Sequence, residues 1–339
     1  MTLPRTVAPE TAPSLCICTA VDDLEEGLFG QVLLWVFELL PWLDGQGLRA
    51  EWDIRSRLYG AGAQHRVLPG VFDAVGPGPG KGVLPRRSLL WLRTGRVSVL
   101  GNDWTALHQL WQRHFAVPPR VLARAEAVGL PPACLGLHFR GTDKNRASLD
   151  TNPVSVDEFL SLVAAFLAER PGLASLFVAS DEPGLLDRVR ARWPQRQVFG
   201  LGDVPFHKGP ADGPDKADRA LLDCLLLSRC EVVLKSSSAL SGFAKVLNPD
   251  LEIYRFAASK VFTEVPYFPD AWIPPLRLRD PAAESLLQRL MAGDWSQQPG
   301  ARAWGEVFMA RRRYGPARVR VNQLKSLASL LLRGRLRRA

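Results

Sequence analysis

The sequence predicts an α/β protein whose second half is a parallel, doubly wound sheet. From residue 134 onward, short apolar runs alternate with stretches of helical length, and Pro and Gly punctuate the changes. Three of those runs stop abruptly in polar clusters: His138/Arg140/Asp143/Lys144, Ser180/Asp181/Glu182 and Lys235/Ser236/Ser237/Ser238. Strands that end in polar residues suit an open sheet, where ligands bind outside the carboxyl ends of the strands. At 339 residues the chain exceeds one ordinary core, so two domains are expected.

Along the chain, Ser14 to Ala20 reads as a strand, Val32 to Leu43 as a helix and Leu48 to Ile54 as a second strand. A Gly/Pro-rich loop follows from Gly76 to Gly82, then candidate strands at Ser88 to Leu92 and Val97 to Leu100. Trp104 to Phe115 and Val121 to Val128 read as helices separated by Pro118 and Pro119, and Gly129 to Pro132 marks the domain junction. Beyond it the expected strands are 134 to 139, Ser175 to Ala179, Gln197 to Phe199, Glu231 to Leu234 and Leu251 to Arg255, the last closing the sheet. The expected helices are Val156 to Glu169, Gly184 to Trp193, Asp218 to Ser228 and Ala239 to Leu247. Leu201 to Asp215 is expected to be a loop. The domains are therefore set at 1–130, 131–275 and a C-terminal extension, 276–339.

With 47% hydrophobic and 23% charged residues, the composition is that of a globular protein. Val32 to Leu43 is interrupted by Glu38 and Pro41 and is too short to span a bilayer. The first residues carry Pro4, Arg5, Pro9 and Glu10 with no apolar core of a leader, so a chain without a secretory signal is expected. Five cysteines, an odd number without a CxxC pair, read as reduced core thiols in a cytoplasmic protein and not as metal ligands. The net charge of +9 is concentrated in residues 311–339, which hold ten basic residues and no acid, leaving the rest close to neutral. A protein-wide nucleic-acid surface is thus not indicated. Val319, Val321, Leu324, Leu327, Leu330, Leu331 and Leu332 recur there at roughly helical spacing, with arginines at both ends. That pattern suits an amphipathic helix on an anionic membrane surface; a terminal helix packed on the body with solvated arginines is the alternative.

Each polar cluster has two readings. Arg140 beside Gly141 suits a phosphate, because a guanidinium fork gives parallel charge-assisted bonds and glycine permits close approach; a surface ion pair with Asp143 is the alternative. The serine run begins a helix, where hydroxyls and unpaired N–H groups bind phosphate, or where one serine simply caps the helix. Asp181-Glu182-Pro183 equally suits a plain helix start. Asp223 lies in a run that is apolar nearly all round, so its carboxylate needs a partner: a guanine edge, or a structural arginine such as Arg219. Asp22-Asp23 reads as solvated loop charge, and Gly27-Leu-Phe-Gly-Gln31 as a β–α turn.

The ordered set Gly136-Leu-His-Phe-Arg-Gly-Thr-Asp-Lys144, Phe177-Val-Ala-Ser-Asp-Glu-Pro183, Leu222-Asp-Cys-Leu-Leu-Leu-Ser228 and Ser236-Ser-Ser238 resembles the fucosyltransferase superfamily. The α-1,6-fucosyltransferases and rhizobial nodulation fucosyltransferases are nearest in pattern, and the protein O-fucosyltransferases more distant. The motifs span about two-fifths of the chain. What the resemblance implies is a GT-B fold, two Rossmann-like domains facing across a cleft, with residues 131–275 holding a nucleotide sugar and residues 1–130 the acceptor, a glycan or glycoconjugate. It implies an inverting transferase with GDP-fucose as donor and neither metal nor cofactor. Arg140 would bind the β-phosphate, His138 and Asp223 the guanosine, Ser237 or Ser238 the pyrophosphate, and Asp181 would order the pocket. Gly141 replaces the second arginine of the family's tandem pair, with Lys144, Arg146 or Lys235 as candidate substitutes. Ser148 occupies the place of the family's base, leaving Asp143 or, preferentially, Asp150 for that role. The alternatives are another nucleotide-sugar donor, or a catalytically silent nucleotide-binding or membrane-docking protein.

Overall fold

The computed structural model describes residues 14–18, 29, 49–55, 66–68, 73–74, 104–141, 154–202, 214–236, 238–256 and 271–273. In chain order the elements are β1 (Ser14–Cys18), β2 (Arg49–Arg55), β3 (Arg66–Leu68), β4 (Asp73–Ala74), α1 (Trp104–His114), β5 (Phe115–Ala116) and α2 (Pro119–Val128). They continue as β6 (Cys134–Phe139), α3 (Val156–Glu169), β7 (Ser175–Ser180), α4 (Leu185–Arg192), β8 (Gln197–Gly200), α5 (Pro214–Ser228), β9 (Val232–Lys235), α6 (Ala239–Leu247), β10 (Glu252–Phe256) and β11 (Ala271–Ile273).

Six parallel strands form the main sheet in the order β11-β10-β9-β6-β7-β8. Counted from β6, this is the doubly wound order 3-2-1-4-5-6. The chain winds outward through β7 and β8, returns to the other side of β6, and winds outward again through β9, β10 and β11. In the first half, β1 pairs in parallel with β2, β3 pairs antiparallel to β2, and β4 pairs with β5.

Both faces of the main sheet are covered, which is why β6 is buried at all six positions and reads as a continuous apolar run. On one face Cys134, Phe177, Val233 and Ile253 pack under α5 and α6. On that side α2 lies against α5 and α1 against α6, where Trp111 and Phe29 meet Phe243. On the other face Leu135, Leu137, Leu176, Val178, Val232 and Leu234 pack under α3 and α4. The helix ends follow local chemistry. Ser155 and Glu158 form a reciprocal capping box at α3. Pro119 opens α2, and Gly129, at φ 61°, ends it with its N–H bonded to the Glu126 carbonyl.

The strands and helices expected from residue 134 onward are present, with ends shifted by a few residues. Three expectations are corrected. Strand β10 does not close the sheet, because Tyr254, Arg255 and Phe256 pair with Ala271, Trp272 and Ile273 of β11. Phe115 leaves the helix that precedes it, because its backbone pairs with Ala74 across the β4–β5 ladder. Helix α5 starts at Pro214 instead of Asp218, and proline fits a first turn because that turn needs no N–H from it. Val32 to Leu43, Ser88 to Leu92, Val97 to Leu100 and residues 311–339 lie outside the described residues.

Gly136 marks the tightest strand–helix contact. A Cβ there would lie 2.9 Å from Val233 Cγ2 and 3.0 Å from both Cys230 Sγ and Leu227 Cδ2, all core groups. Gly136→Ala is therefore expected to destabilise the fold by about 1–3 kcal/mol, read as a lower midpoint in denaturant unfolding.

Candidate functional site

Strands β6 and β9 are neighbours whose onward connections run to opposite sides of the sheet, so a crevice opens at their carboxyl ends. The sequence places polar residues there, and the structure ties them together. The Ser236 N–H donates to the His138 carbonyl at 2.9 Å, and the Arg140 N–H donates to Ser236 Oγ at 2.8 Å. A serine side chain thus takes over where the backbone ladder ends, fixing how Arg140 leaves the sheet.

From the other side, the end of β7 holds the same segment. Asp181 accepts the Gly141 N–H at 2.9 Å through Oδ1, and its Oδ2 lies 3.1 Å from Arg140 Nε. The two side chains are only 14% and 5% exposed, so this ion pair is little screened and sets the direction of the guanidinium. Ser180 Oγ donates to the Phe139 carbonyl at 2.7 Å and accepts the Glu182 N–H at 3.0 Å, fastening the β7 turn to β6.

Helix α6 begins at the same crevice. Ser238 holds its N-cap position, yet its side chain makes no capping bond. Its hydroxyl therefore does not occupy the first-turn N–H groups at the positive end of the helix dipole. His138 lies beneath, its Nδ1 2.7 Å from Ser241 Oγ on that helix. Burial, with the positive charges of Arg140 and Lys235 adding to it, pushes the His138 pKa well below 6.5, so the ring is neutral. His138, Lys235 and Arg255 are register partners across β6, β9 and β10, and Lys235 and Arg255 are 0% and 1% exposed. Arg140 and the helix N-terminus together make the ends of these strands suited to phosphate oxygens.

Of the residues singled out in the sequence, the structure brings together His138, Arg140, Asp181 and Ser238. Asp223 is buried on α5, the helix packed against α6, with Oδ2 3.5 Å from Arg219 Nε. Its Oδ1 has no hydrogen-bond partner among the described residues. Burial pushes the Asp223 carboxyl up to about 6 from 3.8, against the pull of Arg219 and of Arg124 on α2. Asp143, Lys144, Arg146, Ser148, Asp150 and Ser237 lie outside the described residues. Sequence reasoning did not find Ser241, whose bond to His138 joins residues 103 apart with no local signal. Nor did it find Arg255, although a charge closing an apolar strand is the same signal that marked Arg140. Among the described residues no cluster of His, Cys, Asp and Glu could hold a metal, and no helix is long and apolar enough to cross a membrane.

No family model matches the chain, and neither does any curated protein. Among solved structures, the chain is similar to NodZ alpha-1,6-fucosyltransferase soaked with GDP-fucose, with 17% identity, a TM-score of 0.46, and coverage of 72% of this chain and 95% of that one. The fucosyltransferase NodZ from Bradyrhizobium gives 18% identity, a TM-score of 0.45 and coverage of 72% and 94%. POFUT1 in its apo form gives 13%, 0.33, and coverage of 74% and 76%.

The state of His138 has a measurable consequence. Its folded-state pKa is lowered, so below about 6.5 the unfolded chain binds a proton that the folded chain does not. The stability this gives is present above that pH and is lost as the pH falls through it. His138→Gln is expected to unfold more easily than wild type near neutral pH, with the difference shrinking from about pH 7.5 to about pH 5 in denaturant titrations. A difference independent of pH would contradict a neutral buried histidine.

Proposed function

We propose that the chain is a glycosyltransferase that binds a nucleotide sugar, GDP-fucose by preference, at the crevice between β6 and β9. The observation that carries the reading is Arg140, aimed by Asp181 at a switch point that faces the uncapped N-terminus of α6. A diphosphate fits there because a guanidinium and a set of free N–H groups approach it from two sides.

In this reading Arg140 holds the β-phosphate, Ser237 or Ser238 the pyrophosphate, and Lys144 adds a further cation. His138 and Asp223 take the guanosine. A neutral imidazole suits a base edge better than a phosphate, and the open Oδ1 of Asp223 suits the paired donors of guanine. The arrangement is of GT-B type, with residues 1–130 on the acceptor side, residues 131–275 on the donor side, and the basic segment 311–339 resting on an anionic membrane surface.

Transfer is inverting. An acceptor hydroxyl attacks the anomeric carbon, the bond from that carbon to the diphosphate oxygen breaks, and its electron pair leaves with GDP. Arg140 and the α6 N-terminus stabilise the charge that grows on the leaving oxygen, and do so most in the transition state. A carboxylate takes the hydroxyl proton as the new bond forms. The sequence offers Asp143 and Asp150 for this.

Calorimetric titration with GDP, UDP and ADP tests the reading. GDP is expected to bind wild type, and Arg140→Ala to weaken it by about tenfold to a hundredfold, the worth of a charge-assisted bond. Binding of UDP or ADP alone would replace the donor. No binding of any nucleotide would favour a silent docking protein.

A further inference from the structure

Glu182 holds a place that phosphate binding does not explain. It follows Asp181 at the end of β7, and its carboxylate lies directly against Gly141, the residue after Arg140. A Cβ built on Gly141 would fall 1.8 Å from Glu182 Oε2, 2.8 Å from Cδ and 3.1 Å from Cβ, so any other residue at 141 must displace the acid. The turn that carries Glu182 is fixed, with its N–H bonded to Ser180 Oγ and its carbonyl accepting the Leu185 N–H. The side chain is half-buried, and among the described residues its carboxylate makes neither a hydrogen bond nor an ion pair.

An unpaired carboxylate beside an arginine poised for phosphate opposes anion binding by repulsion. Asp181 differs, since its charge is spent on Arg140 and on the Gly141 N–H. What Glu182 suits is a neutral hydroxyl at the same strand ends. A carboxylate accepts its hydrogen bond and then its proton, beside the residue that follows the phosphate-binding Arg140.

We infer that Glu182, in place of Asp143 or Asp150, is the general base of the transfer. Its carboxylate takes the proton of the acceptor hydroxyl while that oxygen bonds to the anomeric carbon; the electron pair of the broken bond departs on the diphosphate, and Glu182 then releases the proton to solvent. The assignment rests on the glycosyltransferase reading. It also gives Gly141 a purpose: its missing side chain leaves the acid in place, where any Cβ would displace it.

The test uses water as acceptor, following GDP release from GDP-fucose, together with calorimetric affinity for GDP. Glu182→Gln is expected to slow release by about 10²- to 10⁴-fold while GDP affinity holds or tightens. Gly141→Ala, which keeps the acid but pushes it aside, is expected to slow release as well with little change in unfolding midpoint, because the group it strikes is the end of a side chain. Glu182→Gln with wild-type turnover, or with a lower melting temperature as its only effect, would return Glu182 to a plain helix start and overturn the inference. So would wild type that binds GDP yet leaves GDP-fucose intact. Wild type that binds no GDP would instead overturn the reading beneath it.

Discussion

The ion pair of Asp181 with Arg140 and its hydrogen bond from the Gly141 N–H are the constraint on which the site depends. One carboxylate holds both the Gly141 N–H and the Arg140 guanidinium, so the backbone path and the charged side chain are set together. Without it Arg140 would be a long side chain with several rotamers at the rim of a sheet, and ordering it on each encounter with a ligand would cost conformational entropy. Ser236 performs the matching task on the β9 side by accepting the Arg140 N–H. Three strand ends are thereby joined through side chains just where their ladders run out.

Burial explains why the chemistry gathers at this edge. Helices cover both faces of the sheet, and the strand interiors are filled with Leu, Val, Phe and Cys, so a polar group has access to solvent or ligand only at the strand termini. The fully buried Lys235 and Arg255 sit on the side that also carries neutral His138. Charges buried this deeply need good partners. The helix N-terminus and the aimed arginine act in the same direction on a ligand.

Much of this was legible in the sequence, because the relevant signals are local. A buried strand that breaks into His138 and Arg140 across Gly141 states its own end, and the alternation after residue 134 gives the helices and strands that surround it. The capping pair Ser155 and Glu158 is equally local. What could not be read depends on neighbours distant in the chain. That β9 returns to lie beside β6, making their ends a switch point, is decided by packing across nearly a hundred residues. The bond from His138 to Ser241, the contact of Glu182 with Gly141 and the addition of β11 outside β10 are of the same kind. The serine run shows the limit clearly: its sequence fits a helix cap as well as a ligand site, and only the geometry shows that Ser238 makes no capping bond.

A crystal structure of the chain with GDP tests the central claim most directly. The account predicts the diphosphate between the Arg140 guanidinium and the N-terminus of α6, with the Arg140–Asp181 pair intact. GDP bound away from the ends of β6 and β9, or bound there with Arg140 turned aside, would contradict it.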